Sequence, residues 1–349
     1  MMGEALVFDA PRSIRFDSYA ERRLEAGEVR LRMLYSGISA GTQLTAYRGT
    51  NPMVGKKWNR ELQLFEARPE DAPLYPITGG WGYEEIGEVS EVAPDVADVA
   101  PGDRIYGTWG HRSSQIVTAA FARTHRLSAA LHPITGIFSQ MGSIALNAIL
   151  DAHIHLGETV AIFGQGVPGQ LAAQLARLNG ARVIAIDLDD YRLSASRRFG
   201  ADFTLNSRSG DVAKAIRELT DGRGADTVIE FSGSAHALHQ AIRSAAYNGR
   251  VVTAGFYQGQ AEGLYLGEEF HHNRIQLICS QINAVAPEFG NRWDRLRMEQ
   301  TVYRLAEEGK LDLEGLVTRT YSFHDAAEAY RMLDQQTEKN LQVVLRFEP

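Results

Sequence analysis

The sequence predicts an α/β protein of two domains, a β-rich one followed by one built on a doubly wound parallel sheet. The chain has 349 residues, more than one hydrophobic core usually serves. Its first third is made of short strand-like runs, "EALVFD", "EVRLRMLYSG", "EEIGEVSEVA" and "SSQIVTAA", broken by turns such as "APGDRIYG", the pattern of a small barrel or sandwich. From about Ile134 apolar strands alternate with amphipathic helices, which implies parallel strands covered on both faces.

In order, the alternating part reads as strand "ETVAIFG", helix "VPGQLAAQLARLNG", strand "RVIAIDL", helix "DDYRLSASRRFGA", strand "DFTLN", helix "GDVAKAIRELTDG", strand "DTVIEFS", helix "AHALHQAIRSAAYNG" and strands "RVVTAGF" and "RIQLICSQI". The stripe in "QLAAQLARL" is ordinary core-facing helical periodicity. From about Asn291 come the helical runs "RLRMEQTVYRLAEEGK" and "HDAAEAYRMLDQQ" and the strand "LQVVLRF". The expected domains are 1–134, 135–290 and a C-terminal segment 291–349. Residues 50–76 show little periodicity and several charges, as in a long surface insertion.

Apolar content of 44% and charged content of 23% are those of a globular protein. No run of 18 apolar residues occurs and the N-terminus lacks a signal-peptide pattern, so neither a membrane span nor secretion is expected. A single cysteine, Cys279, excludes an intramolecular disulfide and a multi-thiolate zinc lobe; both fit a cytoplasmic protein. The formal charge of −7 argues against nucleic-acid binding.

The strongest motif is "VAIFGQGVPGQLAAQLA", in which Gly164, Gly166 and Gly169 form G-x-G-x-x-G between an apolar strand and a helix. Glycine serves there for the sharp turn, for approach of a pyrophosphate to the backbone and for helix–strand packing. Val167 and Pro168 open the helix, whose N-terminal N–H groups favour an anion. The next strand ends at Asp187, an acid placed for ribose hydroxyls, so NAD is expected over NADP; Arg192 tempers this, since a nearby arginine can take a 2′-phosphate. Ser232 and Gly233, after the strand "DTVIEFS", complete the expected cofactor set of a Rossmann domain.

Taken together, "YSGISAGTQL", "GGWGYEEIGEV", "VAPGDRIYG", "AIFGQGVPG" and "AIDLDDYRLSASRRFGAD" resemble the medium-chain dehydrogenase/reductase superfamily over nearly the whole chain. The "SGIS-x-GT" form is similar to sugar, polyol and threonine dehydrogenase-like members and to the bacteriochlorophyllide dehydrogenase branch. The resemblance implies a GroES-like catalytic domain, a Rossmann domain, a C-terminal return to the catalytic domain, hydride transfer at CH–OH groups, and a homo-oligomer, dimer or tetramer, paired through "RIQLICSQI".

Against the family pattern, Ala40 stands at the metal cysteine, with Ser39 beside it, and Tyr83 at the metal histidine; Glu84 is retained. The usual third-ligand region, "FSQMGSIALNA", offers no Cys, Asp, Glu or His. Catalytic zinc takes three protein ligands, so a zinc-free site with no metal is expected. His153 with His155 reads as solvated surface, and the neighbours His271 and His272 point apart if extended.

Without zinc, a side chain must move the proton that accompanies the hydride. The resemblance places four candidates at the reacting end. Thr42 matches a relay hydroxyl or is a turn residue. Tyr83 is a hydrogen-bonding acid or fills the vacated volume. Glu84 is a base, an orienter of Tyr83, or one half of an ion pair with a buried arginine. His111 is a proton-transfer group or a loop histidine. Trp58, Trp81 and Trp109 are candidate packing faces for a sugar ring, and Lys56 a candidate for an anionic group. The expected activity is zinc-independent, NAD-linked oxidation of a secondary alcohol of a polyol, sugar or cyclitol. The alternatives are a zinc-free enoyl or quinone reductase and a non-catalytic NAD-binding sensor.

Overall fold

The computed structural model describes residues 2–336 and 339–348. They fall into two compact units, one holding residues up to Gln140 together with those from Val317 onward, the other Met141–Leu316.

In the first unit, β1 (Met2–Ala10) and β2 (Ser13–Ala20) form a hairpin, and β3 (Glu28–Ile38) is the spine of a larger sheet. In the first half of β3, Val29, Leu31 and Met33 turn into the core. Arg30, buried on the other face, is held by Glu91 at 2.9 Å and Glu21 at 3.2 Å. Helix α1 (Ala40–Arg48) follows β3 directly. The hairpin β4 (Lys56–Asn59) and β5 (Leu64–Ala67) comes next, then β6 (Glu85–Val92), β7 (Arg104–Gly107), β8 (Ser114–Thr118) and α2 (Ala119–Thr124). Chain order then passes through α3 (Ser139–Ala152) to the second unit, which holds β9 (Thr159–Phe163), α4 (Val167–Leu178), β10 (Arg182–Asp187), α5 (Asp190–Arg198) and β11 (Phe203–Asn206). It continues with α6 (Val212–Leu219), β12 (Ala225–Glu230), α7 (Ala235–Ser244), β13 (Ala245–Thr253), β14 (Gln276–Cys279) and α8 (Arg295–Glu307). Strand β15 (Val317–Ser322), α9 (Ala326–Gln336) and β16 (Gln342–Arg346) return to the first unit, whose sheet runs β15-β16-β3-β6-β7 with β8 also paired to β3. Leu6, Phe8, Leu31, Ile105, Tyr330 and Leu345 form the heart of its core.

The second unit is a six-stranded sheet in the order β11-β10-β9-β12-β13-β14, parallel throughout. Counted from β9 this is 3-2-1-4-5-6, the dinucleotide-binding order. Every residue of β9 is buried, as a central strand covered on both faces requires. Helices α5, α6, α7 and α8 are N-capped by the side chains of Asp189, Asp211, Ser234 and Asp294. The exception is α4, which begins at Gly166 without a side-chain cap.

One expectation is revised. The second unit extends past 290 to Leu316, because α8 packs on α3: a Cβ added at Gly142 would come within 2.6 Å of Val302. The segment 50–76 contains an exposed hairpin, in which Lys56↔Ala67 to Asn59↔Leu64 pair antiparallel, with Trp58 and Phe65 in edge contact at 5.0 Å. The helical run Pro133–Ala152 has the length and composition to cross a membrane, but it is mostly buried inside the protein, as a core helix is.

Candidate active site

In the first unit the chain leaves β3 at Ile38 and enters α1 at Ala40. Ser39 takes the N-cap position, yet its hydroxyl does not cap the helix. It meets the Tyr83 hydroxyl instead, at 2.5 Å. Thr42, in the first turn of α1, is a second hydrogen-bonding neighbour of that hydroxyl. Three hydroxyls thus converge at the start of α1, where the resemblance places the metal loop. Burial above all pushes the Tyr83 phenol up to about 12, so it is a neutral donor at ordinary pH. Ala40 adds no ligand atom.

Glu84 lies behind this cluster, fully buried, and neither carboxyl oxygen has a complete hydrogen bond. Gly37 is there because a Cβ would overlap the Glu84 carboxyl. No arginine pairs with Glu84 among the described residues, which corrects the ion-pair expectation. Burial and the neighbouring Glu85 hold its carboxyl well above the usual range, with the Gln342 amide offsetting this only in part. A carboxyl in that setting stays protonated, since an unpaired buried charge is too costly.

His111 is fully buried, with Nδ1 2.5 Å from Ser36 Oγ and Nε2 3.0 Å from both Gln43 Oε1 and Tyr330 Oη. Burial pulls its pKa down to about 3, so the ring is neutral. Both nitrogens are engaged within the core of the unit. Ser36 also reaches Glu85 Oε1 at 3.2 Å, and Glu85 Oε2 accepts the Trp109 backbone N–H at 2.8 Å. Burial raises Glu85 to about 7 against these stabilising bonds. The network Glu85–Ser36–His111–Gln43–Tyr330 was not legible in sequence, where only His111 stood out.

The tryptophans separate. Trp109 donates its indole N–H to Met33 Sδ at 2.9 Å and packs on Phe121; its face is spent on the core. Trp81 also packs against that core, half-buried. Trp58 and Lys56 stand exposed on the β4–β5 hairpin.

In the second unit the glycine turn has the shape the motif predicts. Gly164 has φ +85°, and a Cβ there would lie 2.8 Å from Ser232 N; a Cβ on Gly169 would overlap the Gly164 carbonyl. Gly166 has open space and begins α4, with Val167 and Pro168 in its first turn. The first-turn N–H groups of α4 therefore have no capping side chain, an anion-binding geometry. Asp187, at the end of β10, accepts Gln165 N at 2.6 Å and Asp189 N at 3.0 Å. Arg192 lies 3.9 Å from it and is itself mostly buried. Ser232 and Gly233 follow β12, with their backbone N–H groups donated to Glu230 at 2.6 and 3.1 Å. Glu230 also accepts the Tyr257 hydroxyl, and burial keeps its carboxyl raised. This brace for the Ser232–Gly233 turn was also missed in sequence. The turn, its uncapped helix and Asp187 together fit a dinucleotide.

Residues 168–296 match the family model for zinc-binding dehydrogenases. The chain is 33% identical to a D-guloside 3-dehydrogenase of Escherichia coli (strain K12), covering 98% of this chain and 99% of the relative. It is 25% identical to a sorbitol dehydrogenase of Halalkalibacterium halodurans, over 88% of each. Among solved structures, an E. coli oxidoreductase/dehydrogenase of unknown specificity matches with a TM-score of 0.80 at 18% identity over all of both chains. This chain is therefore a member of the medium-chain dehydrogenase/reductase superfamily, an NAD(P)-dependent oxidoreductase acting on CH–OH groups.

Proposed function

We propose that the enzyme is an NAD-linked dehydrogenase of a secondary alcohol on a sugar, glycoside or polyol, working without catalytic zinc and with Tyr83 as its acid/base. The observation that carries this is the hydroxyl cluster of Ser39, Tyr83 and Thr42 at the start of α1. Neutral hydroxyls and a protonated, buried Glu84 do not fit a catalytic zinc, which takes imidazole, thiolate or carboxylate ligands. The substrate class is supported by the D-guloside 3-dehydrogenase and sorbitol dehydrogenase relatives.

In the reaction, the carbinol carbon gives up a hydride, the C–O bond becomes a carbonyl, and the hydroxyl proton leaves; the reverse consumes both. When bound, the nicotinamide dinucleotide takes or gives the hydride. Gly166 and the α4 N-terminus would hold its pyrophosphate, and Asp187 its adenosine ribose. Arg192 faces Asp187, so its charge is partly compensated; this supports NAD over NADP. Tyr83 gives its proton to the ketone oxygen during reduction and is restored through Ser39 and Thr42. In oxidation the proton runs the other way. His111 and Glu85 have no part in this transfer and fix the β3 and β6 ends that carry Ser39 and Tyr83.

The reading extends to a cytoplasmic homo-oligomer joined along β14, whose Gln276, Leu277 and Cys279 are exposed at the edge of the sheet. The test is NADH formation on glycosides, sugars and polyols with strong chelator present. Turnover lost in Tyr83→Phe but kept under chelator is expected; turnover on enones alone, with NADPH, would favour C=C reduction.

A further inference from the structure

The second unit holds a side-chain cluster that hydride transfer does not use. His239, on α7, and Glu268 and Glu269, on the turn of helix Leu266–Phe270, each offer a ligand atom, and all three atoms lie within 4.8 Å of one another. His239 is only 9% exposed, and its Nδ1 is buried with no hydrogen-bond partner. Glu269 Oε2 is likewise buried and unpartnered, while its Oε1 accepts Arg243 Nε at 3.4 Å. Arg243 is held more closely by Asp211, at 2.9 and 3.1 Å. Glu268 is exposed and completes the rim.

A buried polar atom left without a partner is costly, and this cluster holds two of them, on His239 and Glu269. A cation bound by both removes that cost. From this juxtaposition we infer that His239, Glu268 and Glu269 form a binding site for a divalent transition-metal ion, with Zn²⁺ as its best fit. One imidazole and two carboxylates suit zinc better than the all-oxygen shells of Mg²⁺ or Ca²⁺. Ligands at about 2.0–2.2 Å from a tetrahedral zinc stand a little over ~3 Å apart, so small side-chain rotations close the site and water fills the fourth position. The ion ties α7 to the turn that leads into β14. Arg243 beside Glu269 sets a limit on affinity, because its charge opposes the ion's. The site is independent of the reaction chemistry proposed above.

The test uses the full chain, stripped with chelator and dialysed against Zn²⁺ alone, with Co²⁺ as a visible-absorbing probe. One ion per chain and a rise in melting temperature are expected for the wild type, with both lost in His239→Asn and in Glu268→Gln. Glu268 is a surface residue, so Glu268→Gln decides the matter even where the histidine variant does not fold. NADH-forming turnover should survive in Glu268→Gln, separating this ion from one at Tyr83. No stoichiometric ion in the wild type, or an undiminished ion in Glu268→Gln, overturns the site.

Discussion

Tyr83 carries the chemistry in this account, and its setting dictates a pH signature. A phenol raised to about 12 is protonated below that value, so its basic form grows about tenfold per pH unit through the neutral and mildly alkaline range. Alcohol oxidation should climb over pH 7–10 with no bell, while ketone reduction stays nearly flat. A bell with a limb near 7 would assign the proton transfer to Glu85 instead. Tyr83→Phe should lower kcat/KM by about 10²–10⁴, with Ser39→Ala and Thr42→Ala losing less. Glu85 makes a separate prediction about stability. Its carboxyl is raised to about 7 from an ordinary 4.5. Above about 4.5 the unfolded chain releases this proton while the folded one keeps it, so stability falls as pH rises from about 5 to 7 and then levels off. The loss is on the order of 3 kcal/mol. Glu85→Gln should flatten that slope in urea titrations at pH 5 and pH 8. An unchanged slope would place the titration elsewhere, Glu84 being a contributor of the same sign.

At the scale of elements, the glycine turn was legible because its spacing lies within one strand–turn–helix: a Cβ on Gly169 would overlap the Gly164 carbonyl, whereas the close approach of Gly164 to Ser232 comes from the turn after β12 and was not visible in sequence. Asp187 was legible for the same reason, standing at the end of the next strand. Asp187→Ala should free the Arg192 guanidinium and raise kcat/KM for NADP relative to NAD, by about tenfold or more by the usual worth of a lost charge-assisted contact; no shift would mean Arg192 does not reach the 2′ position. The β4–β5 hairpin was not legible, since "KKWN" and "LFEA" are too short and too exposed to show a buried face. The same blindness applies to His111. Its neighbours Gln43 and Tyr330 come from α1 and α9, and nothing in "GTWGHRSS" announces burial. His239 with Glu268 and Glu269 was hidden likewise, by roughly thirty residues of intervening chain.

For the whole molecule, a β-rich unit and a parallel-sheet unit were foreseen from strand spacing and βα alternation. The point of return was not. Helix α8 reads in sequence like any amphipathic helix, and only its packing at Gly142 shows which core it serves. The proposed zinc-free reading rests on the departures at Ala40 and Tyr83 and on the hydroxyl contact between Tyr83 and Ser39. The measurement that bears most directly on that reading is NAD-dependent oxidation of glycosides, sugars and polyols by wild type and Tyr83→Phe, each with strong chelator throughout. Full wild-type turnover under chelator and its collapse in Tyr83→Phe are expected. Turnover abolished by chelator and restored by zinc, with Tyr83→Phe still active, would overturn the zinc-free chemistry.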